Sequence, residues 1–130
     1  MQKVGFWRFE LPAGMDAEDR EILGWTPAEI ARVTDLSLPV ARECVDLQWS
    51  ATYPHKAALL AYLRDPARII PGTKCHSAHA CRMCPCLAGQ SDMGDGTYLW
   101  PEGFAHYVDA HGVRPPADFL EHVEKFAGLR

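Results

Sequence analysis

At 130 residues the chain is long enough to bury the core of one domain, and its 48% hydrophobic and 23% charged residues are those of a soluble globular protein. The net charge of −4, with four lysines and nine scattered arginines against 17 acidic residues, argues against a general nucleic-acid binder, because phosphate neutralisation needs clustered cations.

The chain opens on Val4, Phe6, Trp7 and Phe9, a β-branched and aromatic run that reads as a strand over residues 3–11, ended by Leu11-Pro12. Asp16 suits the cap of a short helix through Leu23, with Glu18 and Asp19 in its first turn. Thr26-Pro27-Ala28-Glu29 is a capping box with proline at N1, and a helix follows through Thr34 with Ile30 and Val33 inward. After a turn at Asp35-Leu36-Ser37, a second helix is expected from Val40, Ala41, Cys44, Val45 and Leu47 at helical spacing. The pair, with Ile30-Ala31 and Asp35-Leu36-Ser37, resembles a helix-turn-helix. The would-be reading helix offers only Arg42 beside Glu43 and Asp46, so two core-packing helices are the plainer expectation. Cys44 reads as a small buried hydrophobe.

Residues 50–53 read as a polar break. A helix follows from Thr52 or Tyr53-Pro54 to about Arg64, with Ala57, Leu60, Tyr62 and Leu63 partly interior, His55 solvated in its first turn, and Asp65-Pro66 as its stop. Ile69 and Ile70 anchor an approach segment that Pro71-Gly72 turns toward Cys75. At the far end, Val113-Arg114-Pro115-Pro116 is an extended link. Phe119, Leu120, Val123 and Phe126 make the stripe of a last helix from about Pro116 to Phe126. His122 beside that stripe reads as a wet or core-edge histidine rather than a ligand.

Between them lies the chemistry. Four of the five cysteines and four of the six histidines fall between Cys75 and His111. The inner frame is Cys81-x2-Cys84, then 21 residues, then His106-x4-His111. A Cys pair followed by a His pair at such spacing is a tetrahedral zinc pattern, since zinc takes thiolates and imidazoles at four corners. Asp95-Gly96 is a two-residue hairpin signal, and Thr97-Tyr98-Leu99-Trp100 suits the returning strand. Pro101 and Glu102 suit the start of a helix, and Gly112 its left-handed end. On an ideal helix His106 and His111 stand about 140° apart, so a loosened last turn is needed for both to reach one ion. Cys75, His76, His79 and Cys86 are further donor candidates for a second site, a replaced ligand or no site at all, and Cys84-Pro85-Cys86 also has the form of a redox pair.

This layout of knuckle, hairpin, strand and helix resembles the Cys2His2 zinc finger over the 31 residues from Cys81 to His111. The resemblance implies Cys81, Cys84, His106 and His111 as ligands of a structural Zn²⁺ in a ββα unit. The spacer exceeds the usual 12 or so residues, so an extra loop around Gln90–Gly94 is expected. The helix lacks the basic, base-reading residues of a DNA-binding finger. Cys-Arg-x-Cys with Trp-Pro-Glu-Gly and His-Tyr-Val also resembles small uncharacterised bacterial proteins.

The expected architecture is therefore α+β: one small, mostly helical domain over 1–130 whose residues 75–112 form a zinc-stapled, ββα finger-like subregion. No run approaches 18 apolar residues and Met1–Arg8 has no apolar signal core, so neither a membrane span nor a signal peptide is expected. An odd cysteine count with metal spacing suits a reducing compartment, with the cytoplasm as the expected location. There is no His-Glu-x-x-His and no Ser/His/Asp order. The first expectation is a non-enzymatic, zinc-stabilised adaptor whose partner is another protein. The alternative is a small metal-dependent nuclease or hydrolase that uses His76 or His79 beside the ion. An ion held by protein donors alone would favour the adaptor; a cavity with a metal-bound water would favour the enzyme.

Overall fold

A computed structural model of the chain describes residues 1–7, 37–74, 81 and 83–129. The expected helices over 16–23 and 26–34, the C-terminal part of the first strand, and Cys75, His76 and His79 lie outside the described residues.

The described residues are mixed α and β. Strand β1 is Gln2–Lys3, α1 is Leu47–Thr52, α2 is Lys56–Arg64, β2 is Asp92–Gly94, β3 is Tyr98–Pro101, α3 is Phe104–His111 and α4 is Ala117–Phe126, with 3-10 turns at Ala41–Cys44 and Pro66–Arg68. The sheet order is β1-β3-β2; β1 runs parallel to β3 and β2 antiparallel to it, with Met93 opposite Trp100. Ile69 bridges to Met93 and Ile70 N–H donates to Asp92 O at 3.0 Å, so the approach segment covers the outer edge of β2.

Four local expectations need correction. The first strand stops early: Gly5 has φ +76° and sits against the Phe104 ring, which turns the chain away from β3 after Val4. The helix expected over 40–47 is a 3-10 turn followed by extended Val45, because Val45 bridges to Val113 and Arg114 N–H donates to Cys44 O at 2.9 Å. That pairing outweighs the local helical spacing. The polar break at 50–53 is instead the end of α1. Asp46 caps that helix by accepting from Trp49 N–H at 2.9 Å, and Trp49 stacks on Tyr53 at 4.9 Å. His55, expected to be solvated, is half-buried edge-on to Tyr53.

Helix α2 turns Leu59, Tyr62 and Leu63 inward, an i, i+3, i+4 set, while Leu60 is half-buried and Ala57 is exposed. Asp65 stops it and caps the following 3-10 turn through Ala67 N–H. Trp100, Phe104 and Phe119 are fully buried and meet edge to face at 5.9–6.0 Å. On α4, Phe119, Leu120 and Val123 are buried as the stripe requires, but Phe126 is 63% exposed and packs edge-on against Tyr62. A smaller cluster of Ala41, Cys81, Tyr107 and Val113, joined by Trp7, Cys44 and Cys84, takes Tyr107 from α3. Helix α3 thus contributes to both clusters, and the His106 and His111 rings both lie beside that of Tyr107.

Candidate metal centre

The turn that returns the chain to β3 is displaced by one residue from the expected one. Asp95 N–H donates to Tyr98 O, so Gly96 and Thr97 are the central pair, and Gly96 has φ +91° as the first position of a II′ turn requires. Asp95 is the flanking residue, and its carboxylate accepts from Thr97 N–H and Tyr98 N–H at 2.9 and 2.8 Å. The hairpin then delivers β3 directly into α3.

Helix α3 begins one turn later than expected, at Phe104, and ends at His111 with Gly112 in the left-handed conformation, φ +65°. The amides of Gly112 and Val113 both return to Tyr107 O rather than to the carbonyl four residues back. The last turn is therefore widened, as the separation of His106 and His111 demands. The two imidazoles stand 5.1 Å apart, nearly perpendicular.

The knuckle forms opposite. Cys81 N–H donates to Cys86 O at 2.9 Å, closing the turn, and Met83 N–H points at Cys81 Sγ at 3.4 Å, orienting the sulfur. Cys84 Sγ lies 3.3 Å from His106 Nε2, and Cys81 Sγ lies 3.5 Å from His111 Nε2. One donor atom from each of Cys81, Cys84, His106 and His111 lies within 4.8 Å of the others. A tetrahedral ion with Zn–S about 2.3 Å and Zn–N about 2.0 Å has S···N edges of about 3.5 Å, so the group could hold a metal ion with little rearrangement. Cys81 is buried and the other three are half-buried. Burial, and then repulsion from His106, lower the His111 pKa, which favours the neutral ring that a metal requires.

The structure thus brings together all four residues of the inner frame. Cys86 is exposed and its thiol is not among the converging donors. Cys44 is a half-buried free cysteine in the small cluster, its thiol pKa raised by burial and then by Glu43, consistent with a packing role. Arg42 is exposed on the 3-10 turn, so the second helix of a helix-turn-helix is missing where it was expected.

Two polar arrangements were not foreseen. Glu102, expected only to face a helix dipole, accepts through Oε2 from both Gln90 N–H and Ser91 N–H, at 3.1 and 3.0 Å. Asp95 Oδ2 also accepts from Tyr62 Oη at 2.5 Å and lies 2.7 Å from His122 Nε2, tying the turn to α2 and α4. His122 is core-edge, as expected, with its side chain 28% exposed. The one signal available for either was a carboxylate in a glycine-bearing turn.

No protein-family model, curated protein or solved structure matches this chain. Among the described residues no helix is long and apolar enough to cross a membrane.

Proposed function

We propose that Cys81, Cys84, His106 and His111 bind one structural Zn²⁺, and that the protein is a zinc-stabilised interaction module that works through another protein. The observation that carries the metal half is the convergence of four donor atoms from a knuckle and a helix end within 4.8 Å. Two thiolates and two imidazoles suit zinc among the common divalent metals. Four protein donors complete a tetrahedron, whereas a hydrolytic zinc keeps one position for water. That count favours a structural ion over the nuclease or hydrolase alternative.

Support for the partner half is the surface beside the site. Leu87 is 70% and Ile69 41% exposed, and both border a cleft of about 350 Å³ that reaches His106. Apolar side chains displayed beside a rigid centre suit protein contact.

Elemental analysis of the purified full chain and four variants tests the ligand set. Wild type is expected to carry one zinc per chain, with loss in Cys84→Ser and His106→Ala and retention in Cys75→Ser and Cys86→Ser. Full zinc in Cys84→Ser, with loss in Cys86→Ser, would mean a different ligand set. Metal-dependent turnover in a hydrolase panel, abolished by His79→Ala with zinc retained, would replace the adaptor role with an enzymatic one.

A further inference from the structure

The knuckle and the helix carry two ligands each, and nothing in the local conformation of either sets the distance between them. Besides the packing of Cys81 and Cys84 with Tyr107 and Val113, that distance depends on how residues 87–91, which leave the knuckle, are attached to the start of α3. The attachment is unusually close. Glu102 Oε2 accepts from Gln90 N–H and Ser91 N–H, and Glu102 N–H donates to Ser91 O at 2.8 Å, so one residue makes three bonds to the loop. Two glycines make room for it. A Cβ on Gly103 would fall 1.9 Å from Ala88 O, and one on Gly89, where φ is +99°, would fall 2.8 Å from Glu102 Cβ. The loop backbone therefore lies directly against the helix start, one turn from His106.

We infer that Glu102 is a positioning residue of the metal centre: without touching the ion, it clasps the loop leaving the knuckle and sets Cys81 and Cys84 at bonding distance from His106 and His111. The inference rests on the metal reading above. It assigns the metal affinity in part to the reach of a carboxylate rather than to the four donors alone. Groups outside the ligand shell that orient ligands typically carry about 10–100-fold in metal affinity. What matters is an acceptor oxygen at the right reach. Glutamine keeps such an oxygen, whereas aspartate keeps the charge but draws it back by one methylene.

The test compares the full chain with Glu102→Gln and Glu102→Asp, using Zn²⁺ against a competing chelator, the visible bands of bound Co²⁺, and thermal unfolding with and without chelator. The expected result is near-wild-type zinc affinity in E102Q and a loss of about 10-fold or more in E102D. Weakened tetrahedral Co²⁺ bands should accompany the loss. The chelated proteins should unfold at similar temperatures while the zinc-induced rise shrinks in E102D, a pattern that a merely structural role would not give. Gly103→Ala, which pushes the loop from the helix, should weaken zinc in the same direction. Zinc binding in E102D as tight as wild type, equal losses in E102Q and E102D, or an equal fall in stability with and without zinc would each overturn the inference. Wild type that gives no tetrahedral Co²⁺ bands would instead remove the metal centre itself.

Discussion

Asp95 is expected to make the protein acid-sensitive in a narrow pH window. Burial alone would raise its carboxyl pKa. Hydrogen bonds from the Tyr62 hydroxyl, the Tyr98 and Thr97 amides and His122 outweigh that effect and hold it at about 2, against an ordinary 3.8. A folded-state pKa below the unfolded one means that the carboxylate stabilises the fold above about pH 4, and that this contribution is lost as the pH falls from there through about 2. The shift corresponds to at most about 2 kcal/mol. The side chain is 3% exposed, but its partner His122 is 28% exposed, so screening trims that figure. Asp95→Asn preserves the shape and removes the charge. Urea unfolding of both proteins in chelator, at steps from pH 5 to 2.5, isolates the effect from metal release. Wild type should be more stable at pH 5 by about 1–2 kcal/mol, and by pH 2.5 the gap should have narrowed to roughly a third of that. A gap that is unchanged across the range would refute the assignment of that stability to the Asp95 charge.

Other substitutions probe packing and the metal. Phe119→Ala removes a fully buried ring that contacts Tyr98, Trp100 and Phe104, and should cost about 3–5 kcal/mol in denaturant unfolding. Gly5→Ala places a Cβ 2.2 Å from the Phe104 ring at φ +76° and should lower the melting temperature, by an energy of more than about 1 kcal/mol. Metal removal should raise amide hydrogen exchange in residues 81–91 far more than in α3. Phe104 and Val108 are fully buried in the main core and keep that helix in place without an ion. Acid should release the ion, since binding needs thiolate and neutral imidazole, and metal content measured down a pH series should fall accordingly.

How much was legible from the residues depends on how local the determinant is. The convergence of the four Cys and His residues could be read because its parts are local: a tight Cys-x2-Cys turn, two histidines on one short helix, and Gly112 to end it. The core stripe of α4 and the inward Tyr62 and Leu63 were legible for the same reason, since a 3.6-residue period repeats within a few turns. Where a distant strand or bridge competes, local pattern fails. Val40–Leu47 has helical spacing, but Val45 is taken by Val113 from the far end of the chain. The hairpin slipped by one residue because the Asp95 side chain bonds back to Thr97 and Tyr98, moving Gly96 into the first central position. Glu102 and the Tyr62–Asp95–His122 cluster were not legible. Their partners are 11 to 33 residues away along the chain, and a carboxylate carries no mark of which amide or hydroxyl it will meet.

The most direct measurement is X-ray absorption at the zinc edge on the protein purified with its native metal. One zinc per chain is expected, with two sulfur ligands at about 2.3 Å, two nitrogen ligands at about 2.0 Å, and no water. A zinc shell with three sulfurs or an oxygen ligand, or a chain that carries no zinc, would contradict a structural site built from Cys81, Cys84, His106 and His111.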